Sequence, residues 1–216
     1  MHIHNIGETN SVLNTFIAEI RDNKIQKDSM RFRRNIERIG EVLSYEMSKI
    51  MPYKSEVITT PLGTKIIQVI DDQIVLCSIL RAGLPFHQGL LNYFDNAENA
   101  FISAYRKMKP NGDFDIRVEY FASPSLQDKT LILADPMLAT GQSLVATYQS
   151  LLSHGVPKEL HVFSVIGSTD GIDYIKKHLP EDTHLWIATI DETLNDHGYI
   201  IPGLGDAGDL AFGDKL

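Results

Sequence analysis

The sequence predicts an α/β fold: a mostly parallel sheet flanked by helices on both faces, with a small hood and a β-hairpin lid. Three observations lead there. From Glu56 onward, short β-rich runs alternate with helical ones. Three of those runs are apolar without alternation: Ile74-Val75-Leu76-Cys77, Leu131-Ile132-Leu133-Ala134 and Val162-Phe163-Ser164-Val165-Ile166. Strands covered on both sides read this way, and parallel sheets bury both faces under helices. Finally, the chain has 216 residues, 43% hydrophobic and 22% charged, which suits a single domain over 1–216 with a sizeable core.

The elements follow in chain order. Val12, Leu13, Phe16, Ile17 and Ile20 repeat at helical spacing, with Asn10 or Ser11 placed to cap the helix. Ile36, Ile39, Leu43 and Met47 form the apolar stripe of a second helix, and Pro52 stops it. Residues 1–52 therefore read as an N-terminal helical region, crossed by a basic stretch of Arg31, Arg33, Arg34 and Arg38. Strands are expected at 57–59, 65–69, 74–78, 100–104, 118–121, 130–134, 161–166 and 185–190. Helices are expected at 85–93, 143–154 and 171–178. The charged segment 107–118 contains Pro110 and Asn111-Gly112 and reads as a flexible hairpin or lid, with Lys107 and Lys109 as solvated charges. The tail from His197 is rich in glycine and shows no helical period.

Composition excludes several classes of function. The formal net charge of −8 argues against bulk electrostatic binding to nucleic acid or an anionic membrane. The polar N-terminus has no signal-peptide core, and no apolar run approaches a bilayer-spanning length, so the expected location is cytoplasmic. One cysteine, Cys77, rules out an internal disulfide and fits a reducing compartment. It sits within an apolar strand and reads as a packed small residue. His2 and His4 belong to a terminus expected to be loose, and the eight histidines show no metal spacing.

The most informative stretch is the buried strand ending at Ala134, the loop Asp135-Pro136-Met137-Leu138-Ala139-Thr140-Gly141-Gln142-Ser143, and the amphipathic helix after it. Small side chains and hydroxyls at Thr140, Gly141 and Ser143 meet a helix start, where N–H groups lack intrahelical partners and the dipole is positive. A phosphate fits such a place. Equally, Thr140 or Ser143 can simply cap the helix, because capping boxes are common. Asp135, at the carboxyl end of the strand, suits ribose hydroxyls or a Mg²⁺ ion. The loop is not a Walker A motif. Arg81 lies between an apolar strand and Ala82-Gly83, and its guanidinium fork suits a pyrophosphate as well as it suits a surface ion pair.

Residues 135–143 resemble the phosphoribosyl-diphosphate (PRPP) motif of the type I phosphoribosyltransferases, in the Asp-Pro-Met-Leu-Ala-Thr-Gly form of the uracil branch. Ile79-Leu80-Arg81-Ala82-Gly83-Leu84 resembles that family's pyrophosphate-side loop, and residues 195–213 resemble its uracil-binding tail. The resemblance implies transfer of a phosphoribosyl group from PRPP to uracil, giving UMP and pyrophosphate. It gives catalytic roles to Arg81, Asp135 and Asp206. PRPP is expected on Arg81, Arg106, residues 135–143 (Gln142 included) and Asp206. Uracil is expected on Tyr199, Ile200, Gly205, Asp206 and Ala207, largely through main chain. Mg²⁺ is the implied cofactor, carried mainly by PRPP with no direct protein ligand. A homodimer or larger homo-oligomer is implied, with GTP as a candidate effector. Gln142 stands where glycine is common, and Leu210 where a basic residue is usual before Phe212-Gly213. A rival reading keeps the fold as a non-catalytic PRPP- or UMP-binding regulator that grips RNA through Arg31–Arg38. A third, transfer to orotate or a purine, shares the PRPP loop but not the tail.

Overall fold

In the computed structural model, which describes residues 1–108 and 114–215 and the side chains outside 104–119, the continuously apolar runs form the centre of the sheet. The strands are β1 (His2–Asn5), β2 (Tyr53–Thr60), β3 (Gly63–Ile70), β4 (Ile74–Leu80), β5 (Glu98–Met108), β6 (Phe114–Ala122), β7 (Thr130–Ala134), β8 (Met137–Leu138), β9 (Glu159–Ser168), β10 (His184–Asp191), β11 (Thr193–Leu194) and β12 (Ile200–Ile201). The helices are α1 (Leu13–Arg21), α2 (Ser29–Ser48), α3 (Gly83–Leu91), α4 (Gln142–Leu151), α5 (Thr169–His178) and α6 (Ala207–Phe212).

The main sheet runs β1-β10-β9-β7-β4-β5-β6, with β8 beside β9. Its pairs are parallel except β5 with β6. Alternate side chains face opposite layers. Ile74, Leu76, Ile132 and Phe163 pack with Ile36, Leu43 and Phe86 of α2 and α3. Val75, Cys77, Leu131 and Val162 pack with Leu144, Leu151 and Ile175 of α4 and α5. The loops after β4 and β7 thus depart to opposite faces from neighbouring strands. Such a reversal opens a crevice at the carboxyl ends of the strands, the usual ligand position in open α/β sheets. Cys77 is fully buried, and burial pushes its thiol up to about 12, as a packed residue requires.

Asp28 caps α2, its carboxylate accepting from the N–H groups of Met30 and Arg31. The expected hairpin takes the form of β5 and β6 at the sheet edge, and the turn 109–113 lies outside the described residues. A separate antiparallel pair, β2 with β3, stands apart with Val57, Leu62 and Ile66 exposed.

Three expectations need correction. The N-terminus is not loose: His2–Asn5 is an edge strand paired in parallel with β10. His4 stacks on Trp186 at 3.8 Å and its Nε2 lies 3.0 Å from His184 Nδ1. The sequence hid this strand because it is short, polar and held by imidazoles far along the chain. The tail is not wholly irregular either, since six residues after Asp206 form α6. The basic stretch is not a free patch: Arg31 pairs with Glu19, Arg34 with Glu37, and Arg38 donates to Asn35.

Candidate active site

The crevice between β4 and β7 is a cleft of about 600 Å³ lined by three segments and by Ser103 of β5. The first, Ile79 to Ala82, leaves β4, and its Leu80–Arg81 peptide is cis. The second is the turn after β7, which contributes Asp135, Met137, Ala139 and Ser143. The third is the tail, which contributes residues 197–200, 205–208 and Lys215.

The turn is rigidly braced. Asp135 N–H donates to Phe163 O at 3.0 Å, and its carboxylate accepts from Met137 N–H at 3.2 Å. Ser164 Oγ donates to Asp135 O and Ser168 Oγ to Ala139 O, each at 2.6 Å. Gly141 opens α4 in the left-handed region with φ +74°. A Cβ there would stand 2.9 Å from both Gly171 O and Ile175 Cγ2, so the position needs glycine for space as well as for conformation. The result is a hydroxyl-bearing turn at a helix N-terminus, an arrangement suited to a phosphate.

The other side of the cleft carries charge. Arg81 Nη2 donates to Asp209 Oδ1 at 3.0 Å and to Gly213 O at 2.9 Å, while its Nε–H is buried and has no partner among the described residues. Asp206 caps α6, accepting from the N–H groups of Gly208 and Asp209, and lies 3.3 Å from Lys215 Nζ. Burial alone would raise the Asp206 pKa. The Asp209 N–H, the Lys215 ammonium and the Gly208 N–H outweigh burial and hold the carboxyl below its ordinary value. The coil before α6 turns at Ile201–Pro202, a cis peptide, and at Gly203, φ +53°.

Most residues singled out from sequence meet here. Arg81, Asp135, Met137, Ala139, Ser143, Tyr199, Ile200, Gly205, Asp206 and Ala207 line the cleft. Leu138, Thr140 and Gly141 line a smaller adjoining hollow. Pro136 and Gln142 line neither: the Pro136 carbonyl accepts from Val165 and Ile166 N–H, and Gln142 begins α4. The side chain of Arg106 lies outside those described. Ser103 and Lys215 line the cleft without having been singled out, His197, Gly198 and Gly208 of the expected tail line it too, and Ser164 and Ser168 brace it. Hydroxyls inside an apolar strand were the available sign of the two braces. Leu210, where a cation was expected by resemblance, packs against the core.

A family model described as uracil phosphoribosyltransferase matches residues 8–214. The chain belongs to the uracil phosphoribosyltransferase family. A uracil phosphoribosyltransferase from Porphyromonas gingivalis is 55% identical over 216 residues, all of both chains. One from Methanothermobacter thermautotrophicus is 42% identical over 188 residues, 86% of this chain and 85% of its own. Among solved structures, the AQ2163 protein from Aquifex aeolicus is similar with a TM-score of 0.87, 28% identity and 99% of each chain covered. A hypoxanthine phosphoribosyltransferase from Staphylococcus aureus, at 14% identity and a TM-score of 0.51 over 75% of this chain and 76% of its own, shares the fold. Among the described residues, no helix is long and apolar enough to cross a membrane, and no group of three or more His, Cys, Asp or Glu is arranged to hold a metal ion.

Proposed function

We propose that this protein transfers the phosphoribosyl group of PRPP to uracil, releasing UMP and pyrophosphate. The observation that carries this reading is one cleft with two unlike walls. A braced hydroxyl turn at a helix N-terminus shares the cleft with the glycine-rich tail, which lines it through Ile200, Gly205 and Ala207. The turn suits the 5′-phosphate, with Thr140 and Ser143 hydroxyls and helix N–H groups as donors. Arg81, whose buried Nε–H has no partner among the described residues, suits the charge that grows on departing pyrophosphate. Asp135 and Asp206 suit the ribose hydroxyls. The coil around Ile200, Gly205 and Ala207 suits the flat edge of uracil, whose carbonyls and N3–H match main-chain donors and acceptors. Cytosine would leave a buried polar group unmatched there, at about 1–3 kcal/mol.

The reaction breaks the bond between C1′ and the pyrophosphate oxygen as uracil N1 bonds to C1′, and the proton that N1 loses passes to solvent or to the departing pyrophosphate. Positioning and electrostatics account for most of the acceleration on this reading. Mg²⁺ fits the oxygen-rich chemistry of Asp135 and Asp206 beside a pyrophosphate, carried mainly by PRPP; when bound it neutralises leaving-group charge. Exposed Val57, Leu62 and Ile66 on the β2–β3 hairpin support assembly with a second copy. GTP as an effector rests on the family resemblance alone, and a cytoplasmic location on the sequence. The test is UMP formation from uracil and PRPP, with and without Mg²⁺ and GTP, beside cytosine, orotate and hypoxanthine. Turnover restricted to uracil and dependent on Mg²⁺ supports the reading. UMP binding without turnover would instead indicate a regulator, and turnover of another base a different transferase.

A further inference from the structure

Arg21 and Asp191 belong to none of the motifs that carry the family resemblance, and neither lines the cleft. They nevertheless hold the coil that does. Asp191 ends β10 and is buried, with its two oxygens accepting from Arg21 Nη2 at 2.8 Å and Nη1 at 2.9 Å. This is a two-pronged guanidinium–carboxylate pair, which fixes direction as well as distance. Asp191 Oδ2 also accepts from Gly203 N–H at 2.9 Å, and Arg21 Nη1 donates to Gly203 O at 3.1 Å. Both polar groups of one glycine are therefore held, one by each member of the pair. Gly203 sits between Ile200 and Gly205, both of which face the cleft. The position needs glycine, because its φ is +53° and a Cβ on it would stand 2.2 Å from Ile200 O.

We propose that the Arg21–Asp191 pair positions the uracil-reading coil and thereby sets affinity for the base. This rests on the reading above, in which residues 199–207 hold uracil. The pair touches neither substrate, and so acts through Gly203. Its side-chain connections run to the coil and to Thr189 Oγ1, whereas the phosphate turn is braced by the side chains of Ser164 and Ser168, the latter lying beside Asp191 in the β9–β10 register. Loosening the pair therefore shifts the main-chain groups that face the base and leaves the phosphate turn in place. Small displacements of positioning groups are expensive in catalysis. A general loss of folding would instead lower active enzyme without changing either KM.

The experiment measures KM for uracil, KM for PRPP and kcat for wild type, Asp191→Asn and Arg21→Lys, with melting temperatures to confirm folding. Asp191→Asn keeps the shape and removes the charge; Arg21→Lys keeps the charge and removes the fork. The expected result is a uracil KM raised about tenfold in Asp191→Asn and less in Arg21→Lys, with the PRPP KM within about twofold of wild type. Equal rises in both KM values, or unchanged KM values in folded variants, would overturn the inference. If Asp191→Asn fails to fold, Arg21→Lys decides by the same split. Wild-type protein run alongside keeps the questions apart: its failure to make UMP counts against the proposed function, whereas the variant-to-wild-type ratios judge the pair.

Discussion

The two walls of the cleft are built differently. The phosphate turn is held by its neighbours: β9 supplies Ser164 and Ser168, and the start of α5 closes on Gly141. The base-reading coil is held from across the fold. Arg21 of α1 reaches Gly203, Arg33 of α2 reaches Ala211, and Arg81 after β4 reaches Asp209 and Gly213. One wall is a product of its own βαβ unit, while the other is a coil laid against helices that arrive early in the chain. On the proposed function, the difference means that phosphate binding and base choice are held by different side chains, so substitutions should disturb one more than the other.

The largest effect is expected where the turn has no room. Gly141→Val places a β-branched side chain at φ +74° against Gly171 O and Ile175. Its kcat/KM for PRPP should fall by about a thousandfold or more, roughly 4 kcal/mol of transition-state stabilisation. Steady-state kinetics on folded protein checks this, and retention of wild-type PRPP kinetics would break the comparison at its first half.

Arg81 links the end of β4 to the tail. It lines the cleft and ties down the tail through Asp209 and Gly213. Arg81→Ala should lower kcat/KM by about a hundredfold and raise the KM of PRPP and uracil together. A change in only one KM would show that its two sets of contacts are independent.

A smaller and more selective effect is expected from α2. Arg33 Nη1 donates to Ala211 O at 2.6 Å, and its guanidinium lies 5.8 Å from the centre of the Phe212 ring. Arg33→Ala should raise the uracil KM about three- to fivefold and leave the PRPP KM unchanged. A matching rise for PRPP would argue that the coil and the turn move as one body.

The opposite end of the strands provides the control. His161 is pushed down to about 3, chiefly by burial and then by His184 and His4, and its Nδ1 accepts from Trp186 Nε1–H. It stays neutral in the folded protein, while an unfolded histidine binds a proton near pH 6.5. The unfolded state therefore holds more protons as pH falls below that value, and stability drops. One such histidine costs about 1.3 kcal/mol between pH 7 and 5.5, or about 3 °C in Tm for a chain of this size. His161→Gln should flatten the slope of Tm against pH without altering the ratio of the two KM values. An unchanged slope would show that His161 is not the group responsible.

Legibility from sequence follows the same division. The Asp135–Ser143 turn could be read because the residues that line it are contiguous in one strand–turn–helix stretch, whereas its braces Ser164 and Ser168 come from β9. The central strands could be read because burial on both faces leaves unbroken apolar runs. Sequence spacing did not pair Arg21 with Asp191, 170 residues away. Nor did it mark Lys215, a single charge beyond the glycines, as a neighbour of Asp206. The edge strand His2–Asn5 escaped for a related reason: its stability comes from ring stacking on Trp186 and His184. The helix over Ala207–Phe212 was too short to show a period, although Asp206 before Ala207-Gly208 was an available capping cue.

The central claim is that the two walls grip opposite ends of one nucleotide. A crystal structure with UMP tests it most directly. The account predicts the phosphate against Thr140, Gly141 and Ser143 at the start of α4, and the uracil edge on the main chain of Ile200, Gly205 and Ala207. UMP seated elsewhere, or with its ends exchanged between the walls, would contradict it.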